Sequence, residues 1–489
     1  MKTKSLKTNM VMGIINTSAN FIFPLITYSY VARILKTSGT GRVAFVQSVL
    51  TYFSYIAALG ISSYGMRECA RVRDNKDELS KLTQELLFIN LISTLIAYVA
   101  LFISVAAVPK FESYRALFAV MSCSILLQTL GMEWLYSALE QYTYITVRSL
   151  IFKSISVVLT FILVKDSGDY VIYGGLTIFT TAASNVLNFI NARKFICVRK
   201  YKHYELKKHL KPIMVFFMSA IIISVYAQFD TVMLGFMKGD SEVGIYNAAV
   251  KIKTIVVSVS SGLTSVLIPR MSLYYTQDKQ KYNSLLSKSF RVALVLLIPL
   301  VTFIFINAED VLLFLCGTEF LGAKPTLRIL MVCIFALMLT NLFGNQILVP
   351  KGAENRYAKS VFAGMWTNLI LNCFLIPRYC SAGAAFATLI TEVSNTIWMS
   401  QGCKEEIKAL KQNVRVLRYV FPVCLAIVLE WISRSMLTGF PVFWRLSGNA
   451  VVLFSCYYLI LFIQKEEIVY SGYCWLRGKL LRRSKRTAD

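Results

Sequence analysis

The chain has 489 residues, of which 56% are apolar and 16% charged, with 52 basic residues against 26 acidic ones. Soluble domains run at about 45–50% apolar and about 25% charged, so this composition excludes an ordinary soluble fold. A formal charge of +26 would direct a soluble protein toward nucleic acid, but in a membrane chain it directs attention first to the Lys and Arg of cytoplasmic loops.

Taken in chain order, fourteen apolar stretches are bounded by charge: 11–33, 43–65, 83–107, 114–137, 147–164, 170–191, 212–236, 243–268, 288–308, 324–349, 359–377, 383–401, 416–433 and 447–463. A helical span needs about 20 mostly apolar residues, and these runs are about twice the length that a spanning strand requires. The expectation is an all-α polytopic membrane protein of about 14 transmembrane helices. Lys2, Lys4 and Lys7 ahead of the first run resemble a signal peptide. That run is long, carries Asn16 and Asn20 and lacks a small-x-small cleavage site, so it reads as a retained first span.

The basic residues sort by side. The N-terminus, alternate loops and the C-terminal tail hold about 37 of them, the other connections about 12. The densest loop runs from Arg193 to Lys211. By the excess of Lys and Arg on the inner face, these segments and both termini are expected in the cytoplasm, and nucleic acid is set aside as a partner. The tail, with Lys479, Arg482, Arg483 and Lys485, suits anionic inner-leaflet lipids, although a solvated basic end explains it equally well. The outer connections are too short for a folded domain. Eleven cysteines include no C-x-x-C pair, and the two histidines, His203 and His209, share one basic connection. No disulfide frame, metal site or intramembrane histidine catalysis is expected.

An internal repeat appears at an offset of 203: Gly41 and Arg67 in the first two spans match Gly244 and Arg270 around spans seven and eight. Glu140 near the end of span four finds a counterpart in Glu354 at an offset of 214. Six spans followed by six preserve orientation, so the repeats are parallel, with a pseudo-two-fold along the membrane normal. The division is then a six-helix lobe over 1–192, a basic linker over 193–211, a second lobe over 212–402, appended helices over 403–463 and a basic tail over 464–489. Two such lobes rocking about a midplane cavity make a carrier, an architecture no enzyme needs, and no catalytic residue is assigned.

Charges inside spans need a reason, each costing roughly 2.5–3.5 kcal/mol at mid-bilayer on insertion scales. Asp230 in span seven and Lys251 in span eight lie at similar depth and admit a pair; Lys251 and Lys253, two residues apart, cannot share one face, so one can pair with Asp230 while the other points elsewhere. A static ion pair and a substrate or coupling role both fit them. Glu133 and Lys153 also share a depth and admit a pair. Glu392 stands alone, either carrying protons or bonded to a neighbouring Asn or Thr, and Glu430 and Arg33 sit near outer ends where they can snorkel. Amides within the spans, among them Asn20, Gln128, Asn185, Asn247, Asn341, Asn345, Asn368 and Asn372, join Tyr246 in suggesting a wet cavity suited to sugar hydroxyls. Candidate cavity residues are Arg33, Lys153, Lys251, Lys253, Tyr246, Asn247, Asn341 and Asn345; candidate coupling or ion-pair residues are Asp230, Glu133 and Glu392.

The stretch Met132–Tyr173, with Trp134, Glu140, Tyr144, Ile145, Arg148, Lys153, Val164, Lys165, Asp166, Asp169 and Tyr170, resembles the Wzx-type oligosaccharide flippases. Phe229–Ile252, with Asp230, Gly235, Gly244, Tyr246 and Lys251, and Ser62–Arg71 resemble the same family. Tyr136, Ser137 and Ala138 replace the family's aromatic-Gln-Gly. The resemblance implies membership of the multidrug/oligosaccharidyl-lipid/polysaccharide exporter superfamily, in a bacterial cytoplasmic membrane. It implies flipping of an undecaprenyl-diphosphate-linked oligosaccharide from the inner to the outer leaflet for polysaccharide synthesis, beside other polysaccharide-assembly proteins. No cofactor is implied, and proton or sodium coupling stays open. A lipid II flippase, a cation-coupled drug antiporter and, in a different class, a glycan polymerase or ligase are the alternatives.

Overall fold

The structure, a computed structural model, describes residues 6–471, 473 and 474, without the side chains of 6–11, 14, 16, 17, 21, 219, 220, 222–225 and 259–266. The basic tail residues Lys479, Arg482, Arg483 and Lys485 and the side chain of Asn16 lie outside the described residues. Among the described residues every regular element is helical, and ten helices are long and apolar enough to cross a membrane. Two of those contain a non-helical residue at a junction between expected spans: Lys36 within α1 (Leu6–Ala58) and Cys380 within the helix Glu354–Ser400. Two further expected runs lie on α9 (Leu206–Lys238) and α10 (Asp240–Gln277). All fourteen apolar runs of the sequence are therefore carried by helices.

By internal contact the chain forms two compact units. The first holds Met1–Ala248, Leu315–Phe320 and Met365–Ala384; the second holds Ala249–Phe314, Leu321–Gly364 and Ala385–Asp489. This grouping by contact is a different division of the chain from the six-span repeats read in the sequence.

In the first unit α1 packs on α3 (Lys76–Ala107), α4 (Arg115–Gly131), α6 (Tyr142–Leu163) and α9. Two short helices, α2 (Ile61–Arg71) and α5 (Glu133–Ala138), pack on each other. The sixth span is interrupted: α7 (Tyr170–Ile178) and α8 (Asn185–Ala192) flank a wide π-helical turn at Phe179–Ala183. Ile61, Leu79, Leu86, Trp134 and Leu135 form one core cluster. On α3 the polarity is inverted relative to a soluble helix. Phe102 is 77% exposed and Leu95 66%, while Asn90, Ser93 and Thr94 face inward. Lipid is the solvent for that surface, so polar groups must find their partners inside the protein.

The second unit is built on α11 (Lys279–Ile306), which contacts α13 (Lys324–Asn341), α15 (Lys404–Asn413), α16 (Leu417–Met436) and α17 (Val442–Ile463). It also contains α12 (Ala308–Leu315), a π-helical segment at Leu342–Leu348 and parts of α14 (Glu354–Ser400). Tyr282, Leu286, Met399, Leu453 and Tyr457 are fully buried in its core. The appended pair α16 and α17 pack on each other and on α11. Local chemistry sets the starts of α3 and α11: Asn75 accepts the N–H groups of Asp77 and Glu78, and Asp278 those of Gln280 and Lys281.

The backbone repeats where the sequence does. Lys36 (φ 58°, ψ −169°) and Gly239 (φ 92°, ψ −174°) break their helices in matching conformations at the offset of 203. A second match corrects the expected offset of 214. Glu140 N–H donates to Ser137 O and Gln141 N–H to Tyr136 O; likewise Gly352 N–H donates to Val349 O and Ala353 N–H to Leu348 O. These are the two bonds of a Schellman helix end, repeated at an offset of 212. The counterpart of Glu140 (φ 56°) is thus Gly352 (φ 72°), not Glu354, and the first copy holds a non-glycine residue in left-handed backbone.

Candidate substrate pocket and closing contact

In the first unit, α1 and the start of α10 meet at two glycines. A Cβ on Gly41 would lie 1.8 Å from the carbonyl oxygen of Asp240, and a Cβ on Gly244 would lie 2.0 Å from that of Thr37. Thr37 and Asp240, like Gly41 and Gly244, differ by 203, so each repeat presents the same two positions to the other. Such a self-complementary contact is what residues close to a two-fold axis make. Small residues at such a crossing let membrane helices bring their backbones together, here Thr37 and Gly41 on α1 and Gly244 on α10. Polar groups fasten it. Arg42 Nε donates to Asp240 Oδ2 at 3.0 Å, the Tyr114 hydroxyl donates to Asp240 Oδ1, and Lys36 pairs with Glu319 at 2.9 Å.

Toward the opposite ends of α1 and α4 lies a pocket of about 470 Å3. Hydroxyls of Ser54, Ser62, Ser63, Ser137 and Thr181 line it, together with the amides of Asn90, Gln128 and Asn185. Ala57, Met66, Ile125 and Trp134 supply apolar wall. Asn90 is committed to the carbonyl of Ala57, and Thr129 at the pocket's edge to Thr94. Asn185, by contrast, is buried with its Oδ1 lacking a hydrogen-bond partner among the described residues. Gly131 lets it sit there, since a Cβ at 131 would approach the Asn185 amide to 2.5 Å.

Glu133 is the charged side chain of this pocket, and its partner overturns the expected one. Arg148 Nη2 donates to Glu133 Oε1 at 3.1 Å, while Lys153 donates to Asn20. Arg148 is buried, its side chain 4% exposed against 56% for Glu133, and its Nη1 donates to Ser184 O at 3.0 Å just past the π turn. Ser184 O also accepts from Leu187 N–H at 3.2 Å, so this carbonyl is shared between the start of α8 and Arg148. Arg148 also lines a separate groove of about 440 Å3 with Tyr144, Val147, Ile151 and Leu187.

Asp230 is buried, and within its own unit it accepts from Tyr246 at 2.6 Å and from Asn372 at 2.6 Å, with Asn368 bonded to Asn372 at 3.0 Å. Asn247 is half-buried one residue beyond Tyr246. Lys251 and Lys253 occupy half-buried positions of α10 in the second unit. Asn341 and Asn345 are half-buried there too, at the end of α13 and in the π-helical segment. Arg33 is exposed on α1, its Cγ 3.4 Å from where a Cβ of Gly317 would lie. Glu392 does not stand alone: it is buried and accepts from Thr340 at 3.0 Å. Glu430 does not snorkel either, being fully buried and bonded to Asn307. The sequence reading missed Arg148 as a site residue, although it stood in the motif; an Arg inside a span was the available signal.

A polytopic helical bundle, repeated about an axis and holding polar side chains in a lipid-facing frame, defines a membrane carrier fold. The solved structures agree on that fold. The lipid II flippase MurJ in an inward closed conformation matches with a TM-score of 0.74, at 16% identity over 94% of this chain and 99% of that one. An inward-facing multidrug resistance MATE family transporter matches with a TM-score of 0.60, at 14% identity over 82% of this chain and 99% of that one. The polysaccharide biosynthesis protein family model matches residues 6–275, more than half of the chain, and the MatE model matches residues 216–374. The chain belongs to the polysaccharide biosynthesis protein family. Among curated relatives, a putative O-antigen transporter of Shigella dysenteriae is 27% identical over 417 residues, covering 82% of this chain and all of that protein. A putative O-antigen transporter of Escherichia coli (strain K12) is 22% identical over 394 residues, covering 79% and 94%.

Proposed function

We propose that this chain carries a lipid-linked oligosaccharide repeat unit from the inner to the outer leaflet of a bacterial cytoplasmic membrane, for polysaccharide assembly. The observation that carries the mechanism is the reciprocal crossing of Thr37 and Gly41 with Asp240 and Gly244. With the basic segments Arg67–Arg73 and Arg193–Lys211 on the cytoplasmic side, that crossing is at the outer end and the Glu133 pocket is at the inner end. The lobes are 1–192 and 212–402, joined by the linker over 193–211; parting at the crossing and closing at the other end moves the headgroup across. The family and the two O-antigen transporter relatives support the substrate class.

An undecaprenyl-diphosphate carrier would bring about two negative charges, for which Lys251, Lys253 and Arg33 are the candidate partners. Outward movement of −2 against an inside-negative potential is downhill by about 4.6 kcal/mol per 100 mV. Asp230, clasped by Tyr246 and Asn372, is the candidate coupling site for a proton or sodium ion, with Glu392 as a second carboxylate in the other unit. The experiment is mass spectrometry of lipid-linked sugars in a strain lacking the gene, beside flipping of the same lipid by the purified chain in vesicles. Accumulation of one polyprenyl-linked repeat unit is expected. No accumulation and no flipping would refute the reading.

A further inference from the structure

The pocket at Glu133 is charge-balanced, and that limits what it can hold. Its carboxylate projects into the space, while the guanidinium that neutralises it is buried behind the wall and held by Ser184. An incoming anion would meet the carboxylate first, with the matching cation out of reach. Like charges brought together at a binding surface select against the wrong partner. The remaining lining offers neutral donors and acceptors: the hydroxyls of Ser54, Ser62, Ser63 and Ser137, the amide of Gln128, and the unpartnered Asn185 Oδ1. A buried acceptor without a partner is costly unless a ligand or water supplies a donor. A volume of about 470 Å3 is within the usual range for small-molecule sites.

We infer that this pocket is a subsite for an uncharged sugar ring of the transported headgroup, with Asn185 accepting from a sugar hydroxyl or acetamido N–H and Glu133 excluding acidic sugars and the diphosphate. This rests on the flippase reading above and deepens it. Sugar recognition and phosphate recognition are thereby separated: the first belongs to the Glu133 pocket, the second to cations elsewhere.

The test uses the full chain in nanodiscs and three probes: a polyprenyl diphosphate bearing N-acetylglucosamine, the same lipid bearing glucuronic acid, and the sugarless lipid. Binding is read by native mass spectrometry. The neutral sugar lipid is expected to bind about tenfold more tightly than the acidic one. Asn185→Leu is expected to remove most of the gain from the neutral sugar without changing the sugarless lipid. Glu133→Gln leaves the Arg148 charge unbalanced and is expected to shrink the discrimination to about threefold or less. If the sugarless lipid binds but the sugars make no difference, or if Asn185→Leu weakens all three lipids equally, the subsite is refuted while the flippase reading stands. If none of the three lipids binds, both fall.

Discussion

Replacing Gly41 by Ala tests whether the crossing is a gate or permanent packing. The new Cβ would lie 1.8 Å from Asp240 O, 2.7 Å from its carbonyl carbon and 2.9 Å from Gly244 N. Cβ atoms essentially never come within 3.0 Å of such neighbours, so the two backbones must part by at least about 1.2 Å. All three obstructing atoms are main chain, and no rotamer change relieves them. Overpacking of this kind costs about 1–3 kcal/mol. If the contact exists in one state of a cycle, the cost falls on that state alone. About 2 kcal/mol then shifts the population roughly 30-fold toward the parted form. Gly244→Ala is expected to behave alike, because its Cβ would lie 2.0 Å from Thr37 O. The double substitution is expected to cost less than the two together, since one separation relieves both clashes. Gly168→Ala, with nothing within 4 Å, is the control. The assay is electron spin distance measurement between labels at positions 38 and 241, which flank the crossing and leave the Lys36–Glu319 and Arg42–Asp240 pairs in place. Longer distances with a nearly unchanged melting temperature are expected. A fall in melting temperature with unchanged distances would show permanent packing and refute the gate.

Other substitutions probe the local chemistry. Gly352→Ala places a Cβ on left-handed backbone with open space around it, so a loss of about 1 kcal/mol in thermal stability is expected from conformation alone. Glu140→Gly at the matching position is expected to recover a similar amount while losing the 2.9 Å bond from Arg73, giving a net change within about 0.5 kcal/mol; a loss above 2 kcal/mol would contradict the strain argument. Arg148→Ala removes the buried bonds of the guanidinium to Glu133 and to Ser184 O, which keeps the Leu187 N–H at 3.2 Å, and a loss of about 1–3 kcal/mol is expected by thermal unfolding. Asp278, at the start of α11, is held below the ordinary carboxylate range by the Lys281 N–H and then by the Lys281 ammonium. Its contribution is present above the unfolded value of about 3.9 and is lost as pH falls through the depressed folded value. The protection of the first turn of α11 against hydrogen exchange, taken relative to the intrinsic rate at each pH, is expected to fall as pH drops from about 4 to about 2, and Asp278→Asn is expected to flatten that dependence.

Composition and apolar run length determined that this chain is helical and membrane-spanning, because a bilayer admits few backbone solutions and run length reports one of them directly. The repeat was legible as well: glycines at 41 and 244 were visible because backbone contact on an axis leaves no room for a side chain in either copy. Depth along a helix could also be read from sequence, and it placed Glu133 and Lys153 at one level. Azimuth could not. Arg148 and Lys153 are five residues apart on α6, about 140° around the helix, so they face different neighbours. Only the packed bundle shows that Arg148 meets Glu133 while Lys153 turns to Asn20. Asp230 depends in the same way on Asn372, 142 residues away, and Glu430 on Asn307, 123 away. Hydropathy measures transfer into the bilayer one residue at a time, whereas the partner of a buried polar group is fixed by how helices rotate against one another, a property of the whole bundle.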